Sequence, residues 1–166
     1  MKIYLIGMPG SGKSTLGKQL AAELTMLFVD LDREIEKQEG KSVSSIFSEK
    51  GEEHFRLAES QVLREWAGSQ QSFVMATGGG TPCFHRGMEI LNQTGLTIFL
   101  DVSVQELVAR VEKKSNRPLL KSSTQEELEK KLSDIRSGRI ACYQQARITV
   151  NHPTKATLLD QIRLKK

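Results

Sequence analysis

Gly7-Met8-Pro9-Gly10-Ser11-Gly12-Lys13-Ser14 decides the fold of this 166-residue chain. The stretch has the form G-x-x-x-x-G-K-[ST]. A β-forming apolar run at residues 2–6 stands before it, and Leu16, Leu20 and Leu24 follow at helical spacing. Each position has a physical reason. Gly10 and Gly12 let the backbone turn tightly and expose N–H groups to an anion. The helix that opens at Lys13 turns its positive dipole end the same way. Lys13 is expected to bridge the β- and γ-phosphates of a nucleoside triphosphate, and the Ser14 hydroxyl to serve Mg²⁺. An ordinary glycine-rich strand–helix turn is the bland alternative, and the Lys-Ser pair in register argues against it.

Outward from this motif, strand and helix patterns alternate. Leu27-Phe28-Val29 reads as a second strand running into Asp30-Leu31-Asp32. Residues 73–76, 96–100 and 148–150 read as three more. Ser103-x-x-Glu106 and Thr124-x-x-Glu127 have the form of capping boxes, the second ahead of a Leu128, Leu132, Ile135 stripe. Short, nearly continuous apolar strands between helices predict an open parallel α/β sheet covered on both faces. Two stretches leave that pattern: a polar-to-helical excursion at about 33–66, and the basic run KKSNRPLLKSS at 113–123. Both read as excursions from one domain spanning 1–166.

Composition bounds the function. Hydrophobic residues are 38% and charged residues 27%, the balance of a globular chain. No apolar run approaches the ~20 residues of a membrane helix. The stretch Ile3-Tyr4-Leu5-Ile6 breaks at Gly7, short of a secretory h-region. Cys83 and Cys142 stand far apart in sequence without a CxxC, so a reducing, cytoplasmic setting is expected. A net charge of +4 suits an anionic substrate, and an aromatic content of 5% with no Arg–aromatic stripe argues against nucleic acid. Neither DxxG nor NKxD occurs, which disfavours a GTP switch.

The acceptor side is less explicit. Asp30 and Asp32, two apart at a strand end, are expected to point the same way beside the phosphate cradle. Together they can hold the waters of Mg²⁺ and orient or deprotonate an acceptor hydroxyl; the alternative has Asp32 merely capping a helix at 33–38. Gly78-Gly79-Gly80 reads either as bare backbone donors for a ligand or as a surface turn. Arg56, at the start of a helix, either pairs with Glu59 or is held for an anion. Arg139 and Arg136 lie one turn apart, and spacing does not choose between them. Arg117 sits in the basic run, which reads as a lid or as a solvated loop. Asp101 ends an apolar strand and reads as a metal-side acid or as a helix-start residue. The three histidines form no ligand spacing, and the two cysteines read as packing positions.

Taken in order, GMPGSGKST, FVDLD, FSEKGEEHFRLAE, ATGGG, RPLL and the Arg139-x-x-x-Tyr143 pair resemble the shikimate kinase family, within the nucleoside-monophosphate-kinase-like P-loop group. The resemblance covers nearly the whole chain. It implies a five-stranded parallel sheet of order 2-3-1-4-5, a P-loop kinase fold with a lid and a substrate-binding excursion. It also implies transfer of the ATP γ-phosphoryl group to the 3-hydroxyl of shikimate by a cytoplasmic, monomeric enzyme needing Mg²⁺. Carried over residue by residue, Gly10, Ser11, Gly12, Lys13, Ser14 and Thr15 bind ATP, with Arg110 near adenine and Arg117 from the lid on phosphate. Asp32 contacts the ring hydroxyls as base or orienter and joins Ser14 at the metal, directly or through water. Arg56 and Arg139 take the carboxylate, and Gly78, Gly79, Gly80, Phe47 and Phe55 line the acceptor pocket. A kinase for another hydroxy acid or a nucleotide, and a regulator that has lost catalysis, are the competing readings.

Overall fold

The computed structural model describes residues 1–114 and 124–165. Five strands form one parallel sheet: β1 (Lys2–Ile6), β2 (Leu27–Asp30), β3 (Phe73–Ala76), β4 (Leu96–Asp101) and β5 (Ile148–Asn151). Their spatial order is β2-β3-β1-β4-β5, as the resemblance implied. Pairing is in register along β1, with Ile3 opposite Val74 on one side and Leu96 on the other.

Period-two alternation divides the core between the two sheet faces. Ile3, Leu5, Val74, Ile98 and Leu100 point to one face. Leu20 and Ala21 of α1 (Lys13–Glu23) and Leu158, Leu159 and Ile162 of α7 (Lys155–Arg163) cover them. Tyr4, Ile6, Phe73, Met75 and Phe99 point to the other. Their cover comes from α2 (Leu31–Glu39), α3 (Val43–Gly68), α4 (Gly87–Thr94), α5 (Val104–Lys114) and α6 (Gln125–Tyr143). The stripe of Leu128, Leu132 and Ile135 packs on this second face, as its spacing predicted. No helix among the described residues is long and apolar enough to cross a membrane.

The excursion at 33–66 is helical almost throughout. Gly51, at φ 83 and ψ 173, kinks α3 because only glycine adopts that backbone readily. The segment before the kink is tied to α2 by the ion pair of Glu39 with Lys50, and to the loop after α2 by that of Lys41 with Glu49. Phe55 and Arg56 lie about one turn into the helical segment that begins after this kink, close to the helix start expected for them. Most of the 113–123 run, with Arg117, lies outside the described residues.

Helix starts follow local chemistry. At α6 the Thr124 hydroxyl accepts from Glu127 N–H while the Glu127 carboxylate accepts from Thr124 N–H, a complete capping box. At α5 only the Ser103 half is made, and Glu106 instead pairs with Arg110. At α2 the cap is Asp30, whose Oδ1 accepts from Arg33 N–H. Asp32 thus lies in the first turn of a helix, two residues later than a strand end.

Candidate active site

Strand ends β1, β2 and β3 bring three loops to one rim of the sheet, the position where open α/β sheets bind ligands. The loop after β1 is the phosphate cradle. Gly10 and Gly12 take φ of 81° and 96°, the left-handed region, and Gly12 caps α1. Lys13 is 8% exposed and donates to Gly7 O at 2.9 Å and Met8 O at 2.8 Å. Burial pushes its ammonium down to about 8, partly opposed by the Asp32 carboxylate. Such a lysine is short of charge partners, and an incoming anion restores one. Ser11 is fully buried, with its N–H on Met8 O and its hydroxyl without a partner among the described residues. Thr15 is exposed. Arg110 reaches over the cradle and donates to Gly10 O at 3.1 Å.

The aspartates are not a matched pair. Asp30 Oδ2 accepts from Ser14 Oγ at 3.0 Å, so the hydroxyl of the P-loop serine faces Asp30. Asp32 turns instead to the glycine triplet: a Cβ on Gly78 would lie 3.3 Å from its Oδ1. The expectation that both point together is corrected by the strand ending at Asp30, since helical rotation then separates them. Burial, then the charges of Asp30 and Glu59, raise the Asp32 carboxyl to about 6. A carboxylate at that value is ionised at neutral pH yet basic enough to take a proton. Ser14 and Asp30 together offer hard oxygens beside a phosphate cradle, a donor set that fits Mg²⁺.

The glycine triplet after β3 is the centre of the acceptor side. None of its three residues has a positive φ, so backbone freedom is not their reason. Space is. A Cβ on Gly78 would meet Glu59 Oε1 at 2.8 Å, one on Gly79 would meet Arg139 Nη1 at 2.9 Å, and one on Gly80 would meet Arg56 Nη2 at 2.5 Å. Two guanidinium groups and two carboxylates thus converge on backbone that carries no side chains.

Arg56 does both things that its position allowed. It is 8% exposed, donates from Nη1 to Glu59 Oε2 at 2.8 Å, and still borders the triplet at Gly80. Glu59, 2% exposed, also accepts from Thr81 Oγ1 at 2.6 Å. In the sequence, Glu59 reads only as a pairing partner for Arg56, and Thr81 carries no assignment. A signal was present: an acid one turn after an arginine on a helix face that is otherwise apolar. Phe47 stacks on Phe55 with ring centroids 4.7 Å apart, Phe47 half-exposed and Phe55 buried.

Spacing left Arg136 and Arg139 open, and the fold separates them. Arg136 Nη2 donates to Asp101 Oδ1 at 2.9 Å, which also accounts for Asp101. Arg139 borders Gly79. Tyr143, buried one turn later, donates its hydroxyl to Gly79 O at 2.6 Å and so pins the end of α6 to the triplet. Burial pushes its phenol up to about 12, so it remains a donor at neutral pH. Cys83 and Cys142, distant in sequence, meet here: burial and then the Cys142 thiol push Cys83 up to about 12. Such a thiol is a poor nucleophile, in keeping with a packing role.

The family model for shikimate kinase matches residues 9–165. A protein named shikimate kinase from Parabacteroides distasonis is 43% identical over 160 residues, covering 96% of this chain and 92% of that protein. The crystal structure of shikimate kinase from Bacteroides thetaiotaomicron is similar with a TM-score of 0.84 at 39% identity, over 91% of this chain and 86% of that one. Shikimate kinase from Acinetobacter baumannii, solved in complex with shikimate, is similar with a TM-score of 0.82 at 36% identity, over 99% of this chain and 90% of that one.

Proposed function

The chain belongs to the shikimate kinase family, and from that premise we propose that it transfers the γ-phosphoryl group of ATP to the 3-hydroxyl of shikimate, giving shikimate 3-phosphate and ADP on the route to aromatic amino acids. The observation that carries the reading is the convergence of Asp32, Arg56 and Arg139 on Gly78, Gly79 and Gly80, beside the Lys13 cradle.

The chemistry follows from charge. A shikimate carboxylate at the Arg56 and Arg139 end finds two guanidinium groups suited to paired hydrogen bonds. Its hydroxyls then face Asp32. The Asp32 carboxylate aligns the 3-hydroxyl for attack on the γ-phosphorus and accepts its proton as the new O–P bond forms and the bond to ADP breaks. Lys13 and the cradle N–H groups bear the negative charge spreading over the phosphate oxygens. Ser14 and Asp30 hold Mg²⁺, which neutralises phosphate charge when bound there. The metal role expected of Asp32 passes to Asp30 in this reading, because Ser14 bonds Asp30.

All the residues invoked belong to one chain, so a monomer suffices. Two unpaired cysteines suit a reducing cytoplasm. ADP formation measured with shikimate, gluconate, AMP or no acceptor tests the proposal. Strong stimulation by shikimate alone is expected, and acceptor-independent turnover would remove it.

A further inference from the structure

A turn that neither donor nor acceptor chemistry has used stands over Arg56. After the short 3-10 turn Thr81–Cys83, the chain passes through Phe84, His85 and Arg86 into α4. His85 and Arg86 both take positive φ, 46° and 61°. Gly87 N–H closes the turn on Phe84 O at 2.8 Å. Two successive left-handed residues inside such a bond make a turn that favours Asn and Gly, and this chain builds it from two bulky residues. Strain of that kind persists where the surroundings over-determine it. Here they do: a Cβ on Gly87 would run into Thr81 O, and Arg64 Nη2 reaches His85 O at 3.4 Å.

The turn presents one side chain. Phe84 is 38% exposed, yet its ring centroid lies 4.3 Å from Arg56 Cζ, closer than the Phe55 ring at 5.3 Å. The other contacts of the guanidinium are also defined. Nη1 is on Glu59, and Nε is 3.4 Å from Glu52 Oε1. The Cβ position of Gly80 is nearly equidistant from Nη2, Cζ and Nη1, at 2.5–2.7 Å, so the plane lies flat on that backbone. Nη2 has no hydrogen-bond partner among the described residues and borders the triplet.

We propose that Phe84 is a positioning residue for the acceptor carboxylate: its ring caps the Arg56 guanidinium, excludes water from it, and keeps Nη2 aimed at the pocket. The inference rests on the function proposed above. A cation held against an aromatic face away from water gains from the ring and interacts more strongly with an anion at its open edge. Phe84 touches no reacting atom in this scheme, so it acts on binding rather than on the phosphoryl step.

The test uses the full chain with shikimate and MgATP. Phe84→Leu should raise KM for shikimate about 3- to 10-fold, with kcat changed less than about twofold and KM for ATP unmoved. Phe84→Tyr, which keeps the ring, should restore the wild-type KM. In an Arg56→Lys background, Phe84→Leu should lose most of its effect. An unaltered KM in Phe84→Leu overturns the proposal, as does failure of tyrosine to rescue. An undiminished loss in the Arg56→Lys background also overturns it, because the ring would then act on the acceptor directly. A wild-type protein without shikimate-dependent ADP formation removes the proposed function itself, and this inference with it.

Discussion

Ser14 Oγ donates to Asp30 Oδ2 at 3.0 Å, joining the first turn of α1 to the last residue of β2. The same carboxylate accepts Arg33 N–H from α2 through its other oxygen. One aspartate thus ties the phosphate side to the start of the acceptor side. Asp30→Asn is expected to raise the Mg²⁺ concentration for half-maximal activity by about tenfold, as loss of a metal-side carboxylate does elsewhere. Shikimate affinity should stay unchanged. Metal titrations of the steady-state rate check this, and an unshifted midpoint would return the metal role to Asp32.

Asp32 carries a cost that its function explains. In the folded chain its carboxyl rises from 3.8 to about 6, chiefly through burial. The sign is that of a raised folded value. The neutral form is favoured by folding, a contribution fully present below about 3.8 and lost as pH rises through about 6. Asp32→Asn should therefore melt higher than the wild type at pH 7.5, by on the order of 1–3 kcal/mol of stability, with the gap closing towards pH 4. Turnover should fall by orders of magnitude while ATP affinity holds. In the wild type, kcat/KM for shikimate should decline as pH drops through about 6. Thermal melts at the two pH values, beside a pH–rate profile, decide the matter.

Lys13 makes a prediction of opposite sign. Its folded value of about 8 lies below the ordinary 10.5, so the buried ammonium is least favourable below that value. A triphosphate placed against it lifts the value again. Nucleotide binding near pH 8 should then take up about half a proton, and far less at pH 6.5 where the ammonium is already formed. Calorimetric titration of MgATP in Tris and in HEPES reads the uptake directly. Equal heats in the two buffers at pH 8, after correction for dilution, would contradict it.

Glu59 has no expected contact with the reacting atoms, yet its loss should be costly. It is 2% exposed and holds both Arg56 and Thr81. Glu59→Ala leaves a buried guanidinium without its nearest acid, a change that costs about 3–5 kcal/mol in comparable sites. Glu59→Gln keeps the shape and a partial acceptor, and should lose less stability. Both should raise KM for shikimate. Urea unfolding of the two variants provides the ranking, and a Glu59→Ala protein as stable as wild type would show that Arg56 finds another partner.

Contiguous signals were legible and convergent ones were not. The phosphate cradle lies in eight consecutive residues, so its chemistry could be read without the fold. The sheet order followed from the family resemblance, and the strands themselves from their apolar runs. Asp30 and Asp32 misled because either one can cap a helix, and only the true end of β2 decides which does. Arg136 and Arg139 lie on nearly one helical face. What separates them is Asp101, thirty-five positions away from Arg136. The glycine triplet was visible, but its reason was not: the clearance it supplies is for Glu59, Arg139 and Arg56, side chains from two other elements. Phe84 carried no sequence signal, since its turn lacks the Asn or Gly that such a turn favours.

The two covers of the sheet divide most of the work, although Arg110 of α5 reaches across to the cradle. The phosphate cradle continues into α1, which packs with α7 on one face, while Arg56 and Arg139 hang from α3 and α6 on the other. Lineages diverging from such an ancestor can therefore remodel the guest they accept by changing one shell of helices, leaving the energy-supplying half inherited intact. Directed evolution toward unnatural hydroxy acids has its natural starting library there, at the residues packed around Gly80.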